Sequence, residues 1–375
     1  MEEQTHVDPK VEKESADSTK NDWLSKTISY VSKNVWILSL VVAVVALISL
    51  FGPLFSSKTV TYVNDGFEAG KRVSITIIDM FAGRATAPIT LWGSLVLIVI
   101  ASAMLFLRKK ANGFLSASML CYFVAGCLLF ASGSSFDFVT LSKLGVDDYV
   151  WYVKDFSSVA STKLQVGIIL PAVLCFACGF LAFSSSIEKD TISVGEMAEI
   201  GILVALAVAL NFGPKWQIGA DGGSINFAMF PLFLIALRKG PAKGFLAGGI
   251  VYGLITCFTD GYGLYLYPFD YLVGFGSIAI VGFFRSFILG NGVKAYNIKA
   301  LGFIVLGCTL ATIMRFFGSF TSSIVNYGYS FVGSWGYNIA YTTITGAIAC
   351  VLLLALHGPL VRINKSFPDR SLKAE

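Results

Sequence analysis

The sequence predicts an all-α polytopic membrane protein of about ten transmembrane helices, a four-helix N-terminal module followed by a six-helix bundle. Three observations carry that prediction. Apolar runs, several of them 18 residues or longer, recur along the whole chain, and a run of that length with few charges spans a bilayer core as a helix. Of the 375 residues 55% are hydrophobic and only 14% charged, where soluble domains carry about 25% charge. The runs are continuous rather than alternating, which argues against a membrane β-barrel.

In chain order, residues 1–34 are polar and of mixed charge, without the short apolar core and small-residue cleavage site of a signal peptide. They read as a cytoplasmic tail, with an amphipathic stretch at Trp23–Val31. The first run, Val35 to Phe51, is closed by Gly52-Pro53. In the polar connection 56–88, Ser57–Val63 and Val73–Ile78 have the β-prone composition of a small hairpin. Ile89–Leu107, Leu115–Ser132 and Leu164–Phe183 follow, the last two separated by a loop over 133–163 that holds Asp137, Asp147, Asp148 and Asp155. The polar stretch Ser184–Thr191 marks the boundary, so that residues 35–184 form the first module and 185–193 a linker.

The second module, 194–365, contains six runs, Val194–Phe212, Ile225–Leu237, Gly244–Phe258, Pro268–Leu289, Ile298–Val325 and Trp335–Leu356, before a cytoplasmic tail at 366–375. Some are short for a full crossing and imply partial or tilted helices. The positive-inside rule places Arg108-Lys109-Lys110, Arg238-Lys239, Lys243, Lys294, Lys299, Arg362 and Lys365 in the cytoplasm. Ten crossings then leave both termini cytoplasmic and turn the loop 259–267 outward. Lys58, Lys71, Arg72 and Arg84 oppose that assignment, but they lie in a long loop, where the rule is weak.

Several chemistries are disfavoured. The seven cysteines all lie in apolar runs, and Cys175-x-x-Cys178 lacks the polar surroundings and further ligands of a metal or redox site, so they read as small buried hydrophobes. The two histidines, His6 and His357, are remote from each other, in or near the tails. There is no G-x-x-x-x-G-K-[ST] loop, no H-E-x-x-H and no G-x-S-x-G. No catalytic residue, metal site or cofactor is expected, the chain does not read as an enzyme, and any ATP-driven pumping must come from a partner. The net charge of +5 comes from membrane-flanking lysines and arginines, not from a nucleic-acid surface.

The most informative stretch is Asp260 to Phe275, DGYGLYLYPFDYLVGF. A Tyr-rich turn runs through a proline into an apolar helix that opens with Asp270-Tyr271. A carboxylate beside a ring at a helix mouth suits a small aromatic or cationic ligand; an interfacial tyrosine belt is the alternative. Arg315 lies inside an apolar run, where a charge is costly and marks a functional candidate, unless it snorkels to the surface. Asp270 is its natural partner. Tyr327, Tyr329, Phe331, Trp335, Tyr337 and Tyr341 add rings from another outward segment, and Tyr337 and Tyr341 share a helix face. Such rings sandwich a heterocycle or hold a cation. Pro231, near the start of its run, either frees backbone groups toward a cavity or is a tolerated kink. Gly201, Ala205 and Ala209 form a small-residue stripe, which serves either packing within the chain or docking of a separate membrane subunit.

Residues 194–365 resemble the S component, the substrate-binding membrane subunit, of energy-coupling factor (ECF) vitamin transporters, most closely the thiamine-specific type. The resemblance rests on Ala205–Phe212, Phe227–Gly240, Pro268–Phe275, Arg315-Phe-Phe and Tyr337–Tyr341, in that order. It implies a six-helix bundle that captures a vitamin-like small molecule in an outward pocket, and docks through Gly201, Ala205 and Ala209 onto a transmembrane T subunit driven by two ATPase subunits in the lipid bilayer. It places Asp270, Tyr271, Tyr337 and Tyr341 in the substrate site. Ser319, Tyr327 and Thr342 stand where the family carries His, Trp and Asn, and together with Arg315 and Trp335 they complete the expected site. The resemblance does not extend to residues 35–184. A membrane sensor or assembly protein on the same fold, and a self-powered secondary carrier, are the alternative functions; the carrier would want paired intramembrane charges and inverted repeats, and no convincing internal repeat relates the two modules.

Overall fold

The computed structural model describes residue 34 and residues 36–63, 66–81, 89–108, 113–136, 163–189, 192–218 and 223–367. Most of the polar head with its Trp23–Val31 stretch, the loop bearing Asp137 to Asp155, and the last eight residues lie outside them. The chain is an all-α polytopic membrane protein: eight described helices are long and apolar enough to cross a bilayer.

The first half contains α1 (Trp36–Ser49), the strands β1 (Pro53–Val63) and β2 (Gly66–Thr76), α2 (Ile77–Phe81), α3 (Ile89–Leu107), α4 (Gly113–Phe136), β3 (Lys163–Leu164) and α5 (Val166–Lys189). The expected hairpin is present and longer than its β-prone cores, with β1 pairing antiparallel to β2 and, through Phe55 and Ser56, to β3. Thr76 starts α2 by bonding the Asp79 carboxylate through both its N–H and its hydroxyl, at 2.9 and 2.8 Å. The Ser184–Thr191 boundary differs from expectation, because α5 runs on to Lys189. Ser186 is buried there and its hydroxyl pairs with that of Ser116 at 2.7 Å, which satisfies two groups a bilayer would otherwise leave unpaired.

The second half contains α6 (Val194–Phe212), the short strands β4 (Trp216–Gln217) and β5 (Ser224–Ile225), α7 (Met229–Lys239), α8 (Pro241–Asp260), α9 (Leu264–Gly282), α10 (Arg285–Leu289), α11 (Ile298–Tyr327) and α12 (Phe331–Ser366). α6 begins with a capping box: Ser193 accepts from the Glu196 N–H at 3.3 Å, and Glu196 accepts from the Ser193 N–H at 2.8 Å. Glu196 also holds Lys243 at 3.0 Å, and Glu199 holds Arg238 and, at 2.8 Å, Lys239, so the cationic end of α7 and the start of α8 are tied to the start of α6. His357 is not in a tail. It is fully buried within α12, where Nδ1 accepts from the Tyr296 N–H at 2.9 Å and Nε2 lies 3.1 Å from the Ile288 carbonyl. This anchors the connection before α11.

Two helices depart from α geometry. α8 is π-helical over Leu246–Tyr252, and α9 over Tyr267–Val273. Such turns concentrate at functional sites. Two glycines let neighbouring backbones approach the second one. A Cβ at Gly249 would lie 2.7 Å from the Leu272 carbonyl oxygen, and one at Gly318 would lie 2.6 Å from that of Phe269.

The apolar core does not divide at the expected module boundary. One cluster joins α3, α4 and α5 to Phe245, Phe269, Leu272, Val273, Ala279 and Met314 of the second half. A second fills the C-terminal bundle, with Ile200, Val204 and Ala207 as the inward face of α6. On the other face Gly201, Ala205 and Ala209 are exposed.

Candidate functional site

At the end of the bundle where α6 and α11 finish and α12 begins, the polar side chains of several elements converge on a pocket. α9 contributes Asp270, Tyr271 and Phe275, α11 contributes Arg315, Ser319, Ser323 and Tyr327, and α12 contributes Tyr337, Asn338 and Tyr341. The rim comes from Asn211, from Gly223, Ser224 and Asn226 around β5, from Asp260 at the end of α8 and from Tyr262 just after it.

Local bonding sets each wall. Asn226 accepts from the Ala228 N–H at 3.1 Å and donates to Asn211 at 3.0 Å, joining the start of α7 to the end of α6. Gly223 donates its N–H to the Tyr337 hydroxyl at 2.8 Å, which lays the β5 strand across α12. Tyr341 donates to Asn338 Oδ1 at 2.7 Å, and Asn338 Nδ2 donates to Ser323 Oγ at 2.7 Å, so a buried polar chain links α12 to α11. In a membrane helix such groups face one another because lipid offers no partner.

Two carboxylates border the cavity. Asp270 lies near the hydroxyls of Ser319 and Ser322 of α11. Asp260 accepts from the Tyr271 hydroxyl at 3.1 Å. Arg315 is buried but does not snorkel and forms no ion pair with Asp270. Its guanidinium lies 4.5 Å from the Phe275 ring centroid, and Nη1 has no hydrogen-bond partner. Tyr252 meets the same Phe275 ring edge-on at 4.7 Å, and its buried hydroxyl is likewise unpaired. A cavity edged by carboxylates, with an unpaired guanidinium nitrogen and several rings, suits a ligand with donors, an acceptor and a planar ring. Among the described residues no cluster of three His, Cys, Asp or Glu side chains is placed to hold a metal ion.

Seven of the expected site residues meet in the pocket: Asp270, Tyr271, Arg315, Ser319, Tyr327, Tyr337 and Tyr341. Two do not line it. Trp335 is 46% exposed and packs on Phe316 at 4.9 Å, on the outer side of α12. Thr342 is fully buried behind the pocket and donates to the Asn338 carbonyl at 2.6 Å. The structure adds lining residues that sequence reasoning passed over, chiefly Asp260, Phe275, Asn211, Asn226, Ser323 and Asn338. Asn338, an amide within an apolar run, was the strongest overlooked signal.

The sequence model of a family described as "Thiamine transporter protein (Thia_YuaJ)" matches residues 197–366, from the first turn of α6 to the end of α12. The thiamine transporter ThiT of Bacillus subtilis is 28% identical over 172 residues, which cover 43% of this chain and 88% of that protein. A solved structure of ThiT from Listeria monocytogenes is 22% identical, covers 47% of this chain and 96% of its own, and superposes with a TM-score of 0.39. Over residues 197–366 this chain is thus similar to the thiamine transporter family, and its likeness is to transport proteins rather than to enzymes.

Proposed function

We propose that the protein captures thiamine, or a closely related heterocyclic vitamin or precursor, in the pocket between α9, α11 and α12, and hands it to an ECF-type importer. The observation that carries this reading is the meeting of Asp270, Tyr271, Tyr337 and Tyr341 with Arg315 in one cavity, within the residues that match the thiamine transporter family. The carboxylates of Asp260 and Asp270 attract a cationic heterocycle and accept from ring amines, the tyrosine rings pack on its faces, and Arg315 Nη1 donates to an acceptor on the ligand. In this reading the pocket opens to the outside, both termini lie in the cytoplasm, and the exposed Gly201–Ala205–Ala209 face docks on a T subunit that carries two ATPases. The residues before α6 then form an added four-helix module, whose last helix runs to Lys189.

Calorimetric titration of the purified protein tests this reading. The panel holds thiamine, its separate pyrimidine and thiazole precursors, and the other water-soluble vitamins. Saturable binding of thiamine or one of its halves supports it; a folded sample that binds none of the panel overturns it.

A further inference from the structure

The helical turn that carries Asp270 is gripped from behind by the N-terminal half of the chain. Tyr267–Val273 is π-helical, so its residues fan out differently from those of an α-helix. Asp270 and Tyr271 line the pocket, while Phe269 is buried away from it. The Phe269 ring meets two rings from the first half edge-on: Phe130 of α4 at 5.4 Å and 75°, and Phe176 of α5 at 6.0 Å and 78°. Such pairs favour one relative placement over sliding.

The same strip of α4 also holds the opposite wall. The Thr321 hydroxyl is shared between the Phe317 carbonyl of its own helix at 2.9 Å and the Cys127 carbonyl of α4 at 3.2 Å, and Thr321 is fully buried between the pocket residues Ser319 and Ser323. Ala131 packs on Phe316 and Phe320 of α11. The two walls close on each other at Gly318, whose Cα has no room for a side chain beside the Phe269 carbonyl. One face of α4, from Cys127 to Ala131, therefore touches α9 and α11, two of the three helices that present polar side chains to the pocket. Packing of any two membrane helices would bury rings; here the rings fall on the residue next to Asp270, and the side-chain hydrogen bond falls between two pocket serines.

We propose that Phe130 and Phe176 are positioning residues for the capture pocket: through Phe269 they hold the π-helical turn of α9 and so set where Asp270 presents its carboxylate. The N-terminal half is then part of the site's scaffold and not a separate unit. The ligand's identity in this proposal rests on the function proposed above; the mechanical claim does not.

The test uses the full chain in lipid nanodiscs. Hydrogen exchange of peptides covering 267–273, without ligand, is compared in wild type, Phe130→Ala, Phe130→Leu and the Phe130→Ala/Phe176→Ala double variant. Exchange about tenfold faster in that segment, with α6 unchanged and Phe130→Leu restoring most of the protection, is the expected result. Unchanged exchange in the double variant overturns the proposal, and so does a rise spread evenly over the chain, which would mark general destabilisation. If the double variant does not fold, Phe130→Ala against Phe130→Leu decides alone.

Thiamine titration adds a second readout. Phe130→Ala raises Kd about tenfold in wild type but has little effect once Asp270→Asn is in place, because both act on one contact. Equal losses in the two backgrounds would overturn the link to Asp270. A wild-type protein that binds neither thiamine nor any other member of the panel sinks the functional reading and leaves the exchange result to judge this proposal.

Discussion

Tyr271 donates its hydroxyl to the carboxylate of Asp260 at 3.1 Å, joining the last residue of α8 to the middle of the π-helical turn in α9. Both residues line the pocket, and Tyr271 is buried. The bond places one carboxylate at the rim, held by the residue that follows Asp270 in the same turn.

Tyr271→Phe removes that bond and little else. A hydrogen bond to a charged acceptor contributes about 1.5–3 kcal/mol, so part of that stabilisation is lost and the rim carboxylate is freed to move. Thermal unfolding should show a lower midpoint, and titration a thiamine Kd weakened about threefold to tenfold. An unaltered Kd with a lowered midpoint would limit the bond to a structural role.

Asp270→Asn keeps the shape of the side chain and removes its charge. Ligand affinity is expected to fall about tenfold or more, since a charge-assisted contact becomes a neutral one. The melting midpoint should stay near that of wild type, because an amide of the same shape fills the same place beside Ser319 and Ser322. Calorimetry checks the first and differential scanning fluorimetry the second; unchanged affinity would remove Asp270 from the binding contacts.

Asn338→Leu breaks the buried polar chain between α12 and α11. Tyr341 Oη and Ser323 Oγ each lose the Asn338 partner with which they bond at 2.7 Å. Within membrane bundles such bonds contribute about 0.6–2 kcal/mol each. The variant should unfold at lower denaturant and bind more weakly, whereas Asn338→Gln, which keeps an amide, should recover part of the loss. Wild-type stability in Asn338→Leu would show that the chain carries no net energy.

Ala205→Phe with Ala209→Phe places two rings on the exposed face of α6, away from the pocket. Binding by the purified protein should match wild type within error, and uptake by cells should fall to background. Normal uptake would argue against docking through this face.

Legibility from sequence varied with the physical origin of each feature. Ile89–Leu107 and Val194–Phe212 are expected and observed with the same bounds, because a continuous apolar run ended by polar or breaking residues settles a membrane helix locally. Asp270 and Arg315 stood out for a related reason: a charge in an apolar run is costly and conspicuous. Asp260 did not, since an acid at the end of a helix in a polar turn looks like any other rim residue. Its role rests on Tyr271, eleven positions on, and on a non-α turn that no periodicity announces. Trp335 shows the reverse case. The position is rich in aromatic neighbours along the chain, yet its face of α12 turns toward Phe316 and away from the cavity.

Hydrophobicity and charge spacing along the chain were enough to establish a helical membrane protein and to single out residues expected to carry chemistry, because in a bilayer each helix satisfies its own backbone and is nearly an independent unit. The composition of the pocket was not readable in this way. Which side chains share it depends on how α9, α11 and α12 rotate against one another and on glycines whose value is the close approach of a distant backbone. The seat of Phe269 between Phe130 and Phe176, more than ninety residues earlier, belongs to the same class of feature. It is a long-range packing choice, made by the shape of several helices together and by no segment alone.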